Sequence, residues 1–288
     1  MNHIQINGFN CRYKHIKHDT ANETIVFLNG IANPLESWND FHLAFKTQYN
    51  ILGYDLRGQW FSEVTAPPYT FQQASEDLKA LLDYLNITDA HFVGTSFGGE
   101  VGLHFAIHHQ NYCKSLTVIA SVSEIEPLLY YQAHRWQQAA QSAKKIFNTP
   151  VLDEPTRLEV LGYLHDIFLP DSYSNDFFKH NKEIITGKRI GMQKKAPISF
   201  PEGFDYLCEM FYRLADEENL TPLLKNITCP SLIISGEYDI VKPPFYSKII
   251  ADNIPNSKYL ELPAGHAVTV ERAPELTEII SQFLHNSL

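Results

Sequence analysis

His91-Phe92-Val93-Gly94-Thr95-Ser96-Phe97-Gly98-Gly99-Glu100 decides how this chain is read. A short apolar run leads into G-x-S-x-G, and a helix-compatible stretch follows. A serine at the apex of a strand-to-helix turn must adopt a strained backbone, and flanking residues without side chains keep the turn clear of the neighbouring strand and helix. Gly94 and Gly98 meet that requirement. A glycine-rich turn ahead of a helix can also cradle phosphate. Here neither the Lys-Ser/Thr ending of a P-loop nor G-x-G-x-x-G is present, so Ser96 is the candidate nucleophile and a purely structural turn is the competing reading.

Working outward, Ile4 to Ile16 holds Asn7-Gly8 between alternating residues, the strongest short hairpin signal, and predicts an antiparallel pair. Apolar runs bounded by turn residues follow at Thr24–Leu28, Ile51–Tyr54, His91–Val93, Leu116–Ala120, Leu232–Ser235 and Tyr259–Leu262. Such runs suit strands covered on both faces, hence a mostly parallel sheet. Leu78, Leu81, Leu82 and Leu85 fall at helical spacing, as do Leu276, Ile279, Ile280 and Phe283, with Pro274 suited to a first turn. Strands alternating with helices predict an α/β domain with helices on both sheet faces.

The alternation stops between Ser123 and Leu224, where roughly 100 residues carry helical periodicity and no strand pair. Helices are expected at Leu128–Phe147, Pro155–Phe168 and Phe204–Leu214. We expect residues 123–224 to be a helical cap inserted into a core formed by 1–122 and 225–288. The cap is rich in aromatics, including Tyr130, Tyr131, Trp136, Tyr163, Tyr206, Phe211 and Tyr212. Most should form its own core, and a minority should line a pocket.

Composition removes several classes of function. With 44% hydrophobic and 19% charged residues the chain is a folded globular protein. A formal net charge of −10, with no Lys/Arg block longer than a pair, argues against nucleic acid and anionic membranes as partners. Polar residues interrupt the N-terminal stretch where a secretory signal needs an apolar one, and no run approaches the ~18 apolar residues of a membrane span. A cytoplasmic location is expected. The four cysteines are scattered without metal-ligand or disulfide spacing. His104 and His108 lie one helical turn apart without the glutamate of an H-E-x-x-H site, so helix packing is the reading and neither metal nor cofactor is expected.

On these motifs the sequence resembles the α/β-hydrolase superfamily, in its branch of capped esterases, lactonases and C–C hydrolases. Outside the cap the resemblance covers essentially the whole chain. It implies an acid in a G-x-x-D after a late strand, matched by Gly236-Glu237-Tyr238-Asp239, and a base in the Gly265-His266 pair after the last strand. Ser96, Asp239 and His266 follow in the chain order of that fold. Serine is a weak nucleophile while it holds its proton, so a neutral imidazole must take that proton, and a carboxylate must orient the ring and balance the imidazolium. Glu124 and Glu126, just after the Leu116–Ala120 run, are rivals for the acid.

The same chemistry creates an oxyanion that needs two preorganised donors. One is expected to be the backbone N–H of Phe97; by resemblance the other is that of Ile31, in Asn29-Gly30-Ile31. Two departures stand out. Relatives commonly carry His-Gly where this chain has Asn29-Gly30, and D-x-R-G-x-G-x-S where it has Asp55-Leu56-Arg57-Gly58-Gln59-Trp60-Phe61-Ser62. Asp55 and Arg57 are expected to brace that loop. Asn29, Trp60, Trp136 and Tyr163 are the candidate pocket residues.

The implied activity is hydrolysis of a carboxylic ester through an acyl-enzyme. The aromatic cap and the absence of a Lys/Arg cluster in it suggest a largely apolar acyl group. Thioester hydrolysis, acyl transfer of the kind that builds rhamnolipid precursors, C–C hydrolysis and enol-lactone opening use the same triad. A ligand receptor of hydrolase fold is the non-enzymatic alternative.

Overall fold

The computed structural model describes residues 1–286. Eight strands form one sheet in the order β1-β2-β4-β3-β5-β6-β7-β8. They are β1 (Asn2–Ile6), β2 (Phe9–Ile16), β3 (Thr24–Leu28), β4 (Asn50–Tyr54), β5 (Ala90–Thr95), β6 (Cys113–Ile119), β7 (Ser231–Gly236) and β8 (Ser257–Leu262). β1 and β2 pair antiparallel with Ile6 opposite Phe9, and Asn7 and Gly8 take φ of 41° and 77°, so the two-residue turn forms where the Asn-Gly signal placed it. β2 joins β4 antiparallel, and every later pairing is parallel.

Apart from the partly exposed edge strand β8, the parallel strands are buried on both faces because their side chains feed two cores alternately. On β3, Val26 and Leu28 enter one apolar cluster and Ile25 and Phe27 the other. The second cluster is closed by α1 (Asn39–Phe45), through Phe41 and Phe45, and by the C-terminal helix through Leu276 and Ile280. The first is covered by α2 (Phe71–Leu85) and α3 (Phe97–His108). Leu78, Leu81 and Leu82 are fully buried there. On α3 the His104 and His108 rings stack with centroids 4.2 Å apart, the packing arrangement expected of them.

Between β6 and β7 lie α4 (Pro127–Phe147), α5 (Glu154–Phe168), α6 (Asn175–His180), α7 (Lys182–Lys195) and α8 (Phe200–Tyr212). The first two agree with the expected helices within a residue. α8 begins earlier and ends earlier than expected, because Pro201 sits in its first turn and the chain tightens into a 3₁₀ turn at Arg213–Ala215. α6 and α7 were not foreseen. α7 buries only Ile185 and Met192 and contains two glycines, so it carries little periodic signal. After β7 come α9 (Pro244–Asn253), α10 (Val268–Glu271) and α11 (Ala273–Asn286). Among the described residues no helix is long and apolar enough to cross a membrane.

One buried titratable group sits in this frame with a clear cost. His42, 1% exposed on α1, packs edge-on against Phe27 at 5.2 Å, and a Cβ on Gly53 would stand 3.3 Å from its Cε1. Burial, with the nearby Lys14 ammonium adding to it, pulls its imidazole down from 6.5 to about 3. A depressed folded value means the stability is present above the unfolded pKa and is lost as pH falls below it. Lowering the pH from 7 to 5 should therefore cost about 2 kcal/mol through His42. Urea unfolding of His42→Phe should show a pH dependence over that interval shallower than the parent's by this amount; an unchanged slope would contradict the assignment.

Candidate active site

Ser96 joins β5 to α3 with φ 52° and ψ −122°, a backbone that costs a side-chain-bearing residue about 1–3 kcal/mol. The surrounding backbone holds it there. Ser96 N–H donates to the Ile119 carbonyl at 2.8 Å, and its own carbonyl accepts from Gly99 N–H at 2.8 Å. The turn is so tight that a Cβ on Gly94 would lie 2.5 Å from the Gly98 oxygen, and one on Gly98 only 2.3 Å from that of Leu28. Only glycine fits at either position, which is why the motif takes the form it does.

The structure brings Ser96, His266 and Asp239 together from three strand ends. His266 Nε2 lies 2.9 Å from Ser96 Oγ, and His266 Nδ1 lies 2.8 Å from Asp239 Oδ2. With the imidazole proton on Nδ1, the serine hydroxyl donates to Nε2. Asp239 is 4% exposed, and its other oxygen accepts from the amides of Val241 and Lys242 at 2.8 Å each. The rival Glu126 approaches Tyr246, and among the described residues neither Glu124 nor Glu126 engages His266.

Ile31 and Phe97 both line the chamber above Ser96, and among the described residues no acceptor engages either amide. The Ile31 amide is aimed from behind. In a trans peptide the N–H points opposite to the preceding carbonyl, and the Gly30 carbonyl accepts from Gln59 Nε2 at 2.8 Å and from Asn33 N–H at 3.2 Å. Trp60 Nε1 likewise donates to the Ala32 carbonyl at 2.7 Å. The loop that departs from the common pattern therefore holds the Gly30–Ala32 backbone. Asp55 supports the same loop, accepting from Leu35 N–H at 2.7 Å and from Arg12 at 2.9 Å. Burial still raises its carboxyl to about 6 despite Arg12. Arg57 makes a two-pronged pair with Asp77 at 2.8 and 2.9 Å, so both residues brace.

Of the candidate pocket residues, Trp136 lines the chamber. Trp60 lines an outer cleft together with Phe61, packing on Phe200 at 5.5 Å. Two candidates are corrected. Asn29 is fully buried and donates to the Tyr54 carbonyl at 3.0 Å, because its side chain turns back toward β4. Tyr163 is 56% exposed: on α5 Leu161, Leu164 and His165 are among the buried positions, and Tyr163 occupies the opposite side.

Sequence reading missed four contributors: Gln59, Glu100, Lys188 and Lys242. Lys242, on the turn after Asp239, has 3% side-chain exposure and lies 2.6 Å from Glu100 Oε1 and 3.2 Å from Ser96 Oγ. Burial pushes the Glu100 carboxyl above its ordinary range, and the Lys242 ammonium is the main influence drawing it back. A carboxylate in the apolar first turns of α3, directly after the serine turn, was the available signal. Lys188, half-buried on α7, lines both the chamber and the outer cleft. Among the described residues no hydrogen bond or ion pair holds its ammonium, and burial lowers its pKa against the attraction of Asp40. The chamber is thus less purely apolar than expected.

Removing one partner of the Glu100–Lys242 pair would strand a buried charge, so Lys242→Met alone should lower stability by about 3–5 kcal/mol. Glu100→Gln with Lys242→Met should recover most of that loss. Urea unfolding of the parent and both variants checks this, and a double variant no more stable than the single one would contradict it.

Comparison with known proteins agrees with this architecture. A profile of the α/β hydrolase fold family matches residues 23–273. 3-Oxoadipate enol-lactonase 2 of Acinetobacter baylyi is 27% identical over 249 residues, spanning 86% of this chain and 83% of that protein. Among solved structures, the α/β hydrolase MGS-M2 from a Medee basin deep-sea metagenome library is 26% identical with a TM-score of 0.85, over 99% of this chain and 97% of its own. The enol-lactonase of Burkholderia xenovorans is 26% identical with a TM-score of 0.82, over 99% of this chain and 100% of its own. The strand order, the strained serine turn and the profile match together establish that the chain belongs to the α/β-hydrolase family.

Proposed function

We propose that this protein is a serine hydrolase that cleaves carboxylic esters through an acyl-enzyme on Ser96. The observation that carries the reading is the continuous relay of Asp239 Oδ2, His266 and Ser96 Oγ at 2.8 and 2.9 Å. In this mechanism Oγ attacks the ester carbonyl carbon as His266 Nε2 takes its proton. The amides of Ile31 and Phe97 receive the oxyanion. The tetrahedral intermediate expels the alcohol, which takes the proton from His266. Water then attacks the acyl-enzyme by the same relay, and the acid leaves. Residues 123–224 act as the cap over the chamber, with Trp136 and Phe211 among its contributions.

A more specific substrate class is favoured by the lysines. An ammonium half-buried in a largely apolar chamber, attracted by Asp40 but held in no ion pair among the described residues, is best stabilised by an anionic group on the ligand. Lys188 therefore supports an ester or lactone bearing a carboxylate at some distance from the reacting carbonyl. The enol-lactonases of Acinetobacter baylyi and Burkholderia xenovorans among the relatives fit a lactone of this kind.

Ser96→Ala should reduce hydrolysis of p-nitrophenyl acyl esters by at least about 10⁴-fold and abolish labelling by a fluorophosphonate probe. Undiminished turnover in the purified variant would sink the assignment. Lys188→Met should weaken kcat/KM for a mono-p-nitrophenyl ester of a dicarboxylic acid by about 10- to 100-fold relative to p-nitrophenyl butyrate, the value of one charge-assisted contact. Equal effects on the two substrates would remove the carboxylate from the proposal.

A further inference from the structure

We propose that Lys242 is a further catalytic residue of this site, held by Glu100 so that its ammonium stabilises Ser96 Oγ as the leaving group when the acyl-enzyme breaks down. The inference rests on the Ser96 acyl-enzyme reading above.

The geometry assigns two of the three donors of the ammonium and sets its charge near an aromatic ring. One N–H is directed at Glu100 Oε1 at 2.6 Å and another at Ser96 Oγ at 3.2 Å, while the charge stands 4.9 Å from the centre of the Phe211 ring. Glu100 is fixed in turn: the same Oε1 lies 2.8 Å from Ser121 Oγ and accepts from Val122 N–H at 3.2 Å. At its other end Lys242 is held by its backbone, whose amide donates to Asp239 Oδ1 at 2.8 Å. One turn thus delivers a carboxylate to His266 and a cation to the nucleophile.

A buried ion pair is a poor device for stability alone, since desolvation offsets most of the attraction. Its contact with the atom that makes and breaks bonds calls for a chemical account. In the free enzyme Oγ donates its proton to His266 and accepts from Lys242, leaving its second lone pair for attack. That bond exists before and during acylation, so it contributes little to the difference between ground and transition state.

Deacylation differs. Oγ is then an ester oxygen and a weak acceptor. Water attacks the acyl carbon and gives a proton to His266 Nε2; the C–Oγ bond breaks, its electron pair returns to Oγ, and the His266 proton follows. Measured from that weakly accepting ester oxygen, Oγ gains its negative charge in this step, beside a preorganised cation shielded from solvent, whereas before acylation the hydroxyl already accepts the same bond. Lys242 keeps its own protons throughout, so the step balances without another reactant.

The experiment is stopped-flow hydrolysis of p-nitrophenyl acetate by the parent and by Glu100→Gln/Lys242→Met, which removes both charges together. The expected result is a p-nitrophenolate burst of one equivalent with a rate close to the parent's, followed by a steady state slower by about 10- to 100-fold. Acetylated Ser96 should accumulate in the intact mass spectrum. Glu100→Asp provides a second variant that retains both charges but draws the ammonium away from Oγ; it should slow the same phase, while Lys242→Arg should restore much of it. Burst and steady state both unchanged, or slowed in the same proportion in a cooperatively folded variant, would overturn the proposal. A parent that never acylates Ser96 would overturn the hydrolase reading instead, and this role with it.

Discussion

The contact of Gly98 with the Leu28 carbonyl is the constraint from which the rest of the site follows. A helix can start this close to the ends of β3 and β5 only if the residues at the contact have no side chain, and Ser96 is then forced into its left-handed backbone. That conformation directs Oγ out over the sheet edge. It also makes the Phe97 amide the first unused donor of α3, facing the same space as the Ile31 amide. The strain at this one residue persists because the packing around it offsets the cost.

Around this point the protein organises its charges by burial. Asp239, Glu100 and Lys242 are each nearly inaccessible, and each has partners from more than one segment of chain. Asp239 receives two backbone amides and the imidazole; Glu100 receives a hydroxyl, an amide and an ammonium. In a low-dielectric setting such fixed partners hold ionised groups in place without solvent reorganisation. Two chains of polar contacts therefore converge on one hydroxyl, one running through His266 and the other through Lys242.

Much of this was legible in the sequence, for identifiable reasons. The inner parallel strands announced themselves because both faces are buried and the runs are largely apolar, while the half-exposed edge strand β8 gave a shorter, mixed run. Asn7-Gly8 fixed the hairpin through its need for positive φ. Ser96, His266 and Asp239 were readable because each follows a strand end in a short motif. What remained hidden depends on where side chains turn. Asn29 points back to β4 and Tyr163 points to solvent, and no periodicity distinguishes either from a pocket residue. Glu100 and Lys242 are 142 positions apart, so their meeting is a property of the fold alone. Gln59 lay in plain view within a motif, but its role depends on which carbonyl it grips.

The join between the helical insertion and the loop of His266 has its own consequence. Ala267 N–H donates to the Ser172 carbonyl at 2.7 Å, and the Glu271 carboxylate accepts from Ser174 N–H at 2.8 Å and from Gly265 N–H at 3.0 Å. The insertion is stitched to the residues on either side of the imidazole, so it cannot lift away at that edge while the ring keeps its place. Leu169 and Lys188 line both the chamber and the outer cleft, so the cleft offers a route to the site that needs no such lifting. Molecules admitted by that route would pass a positive charge before they met the serine, so the doorway itself would take part in selection.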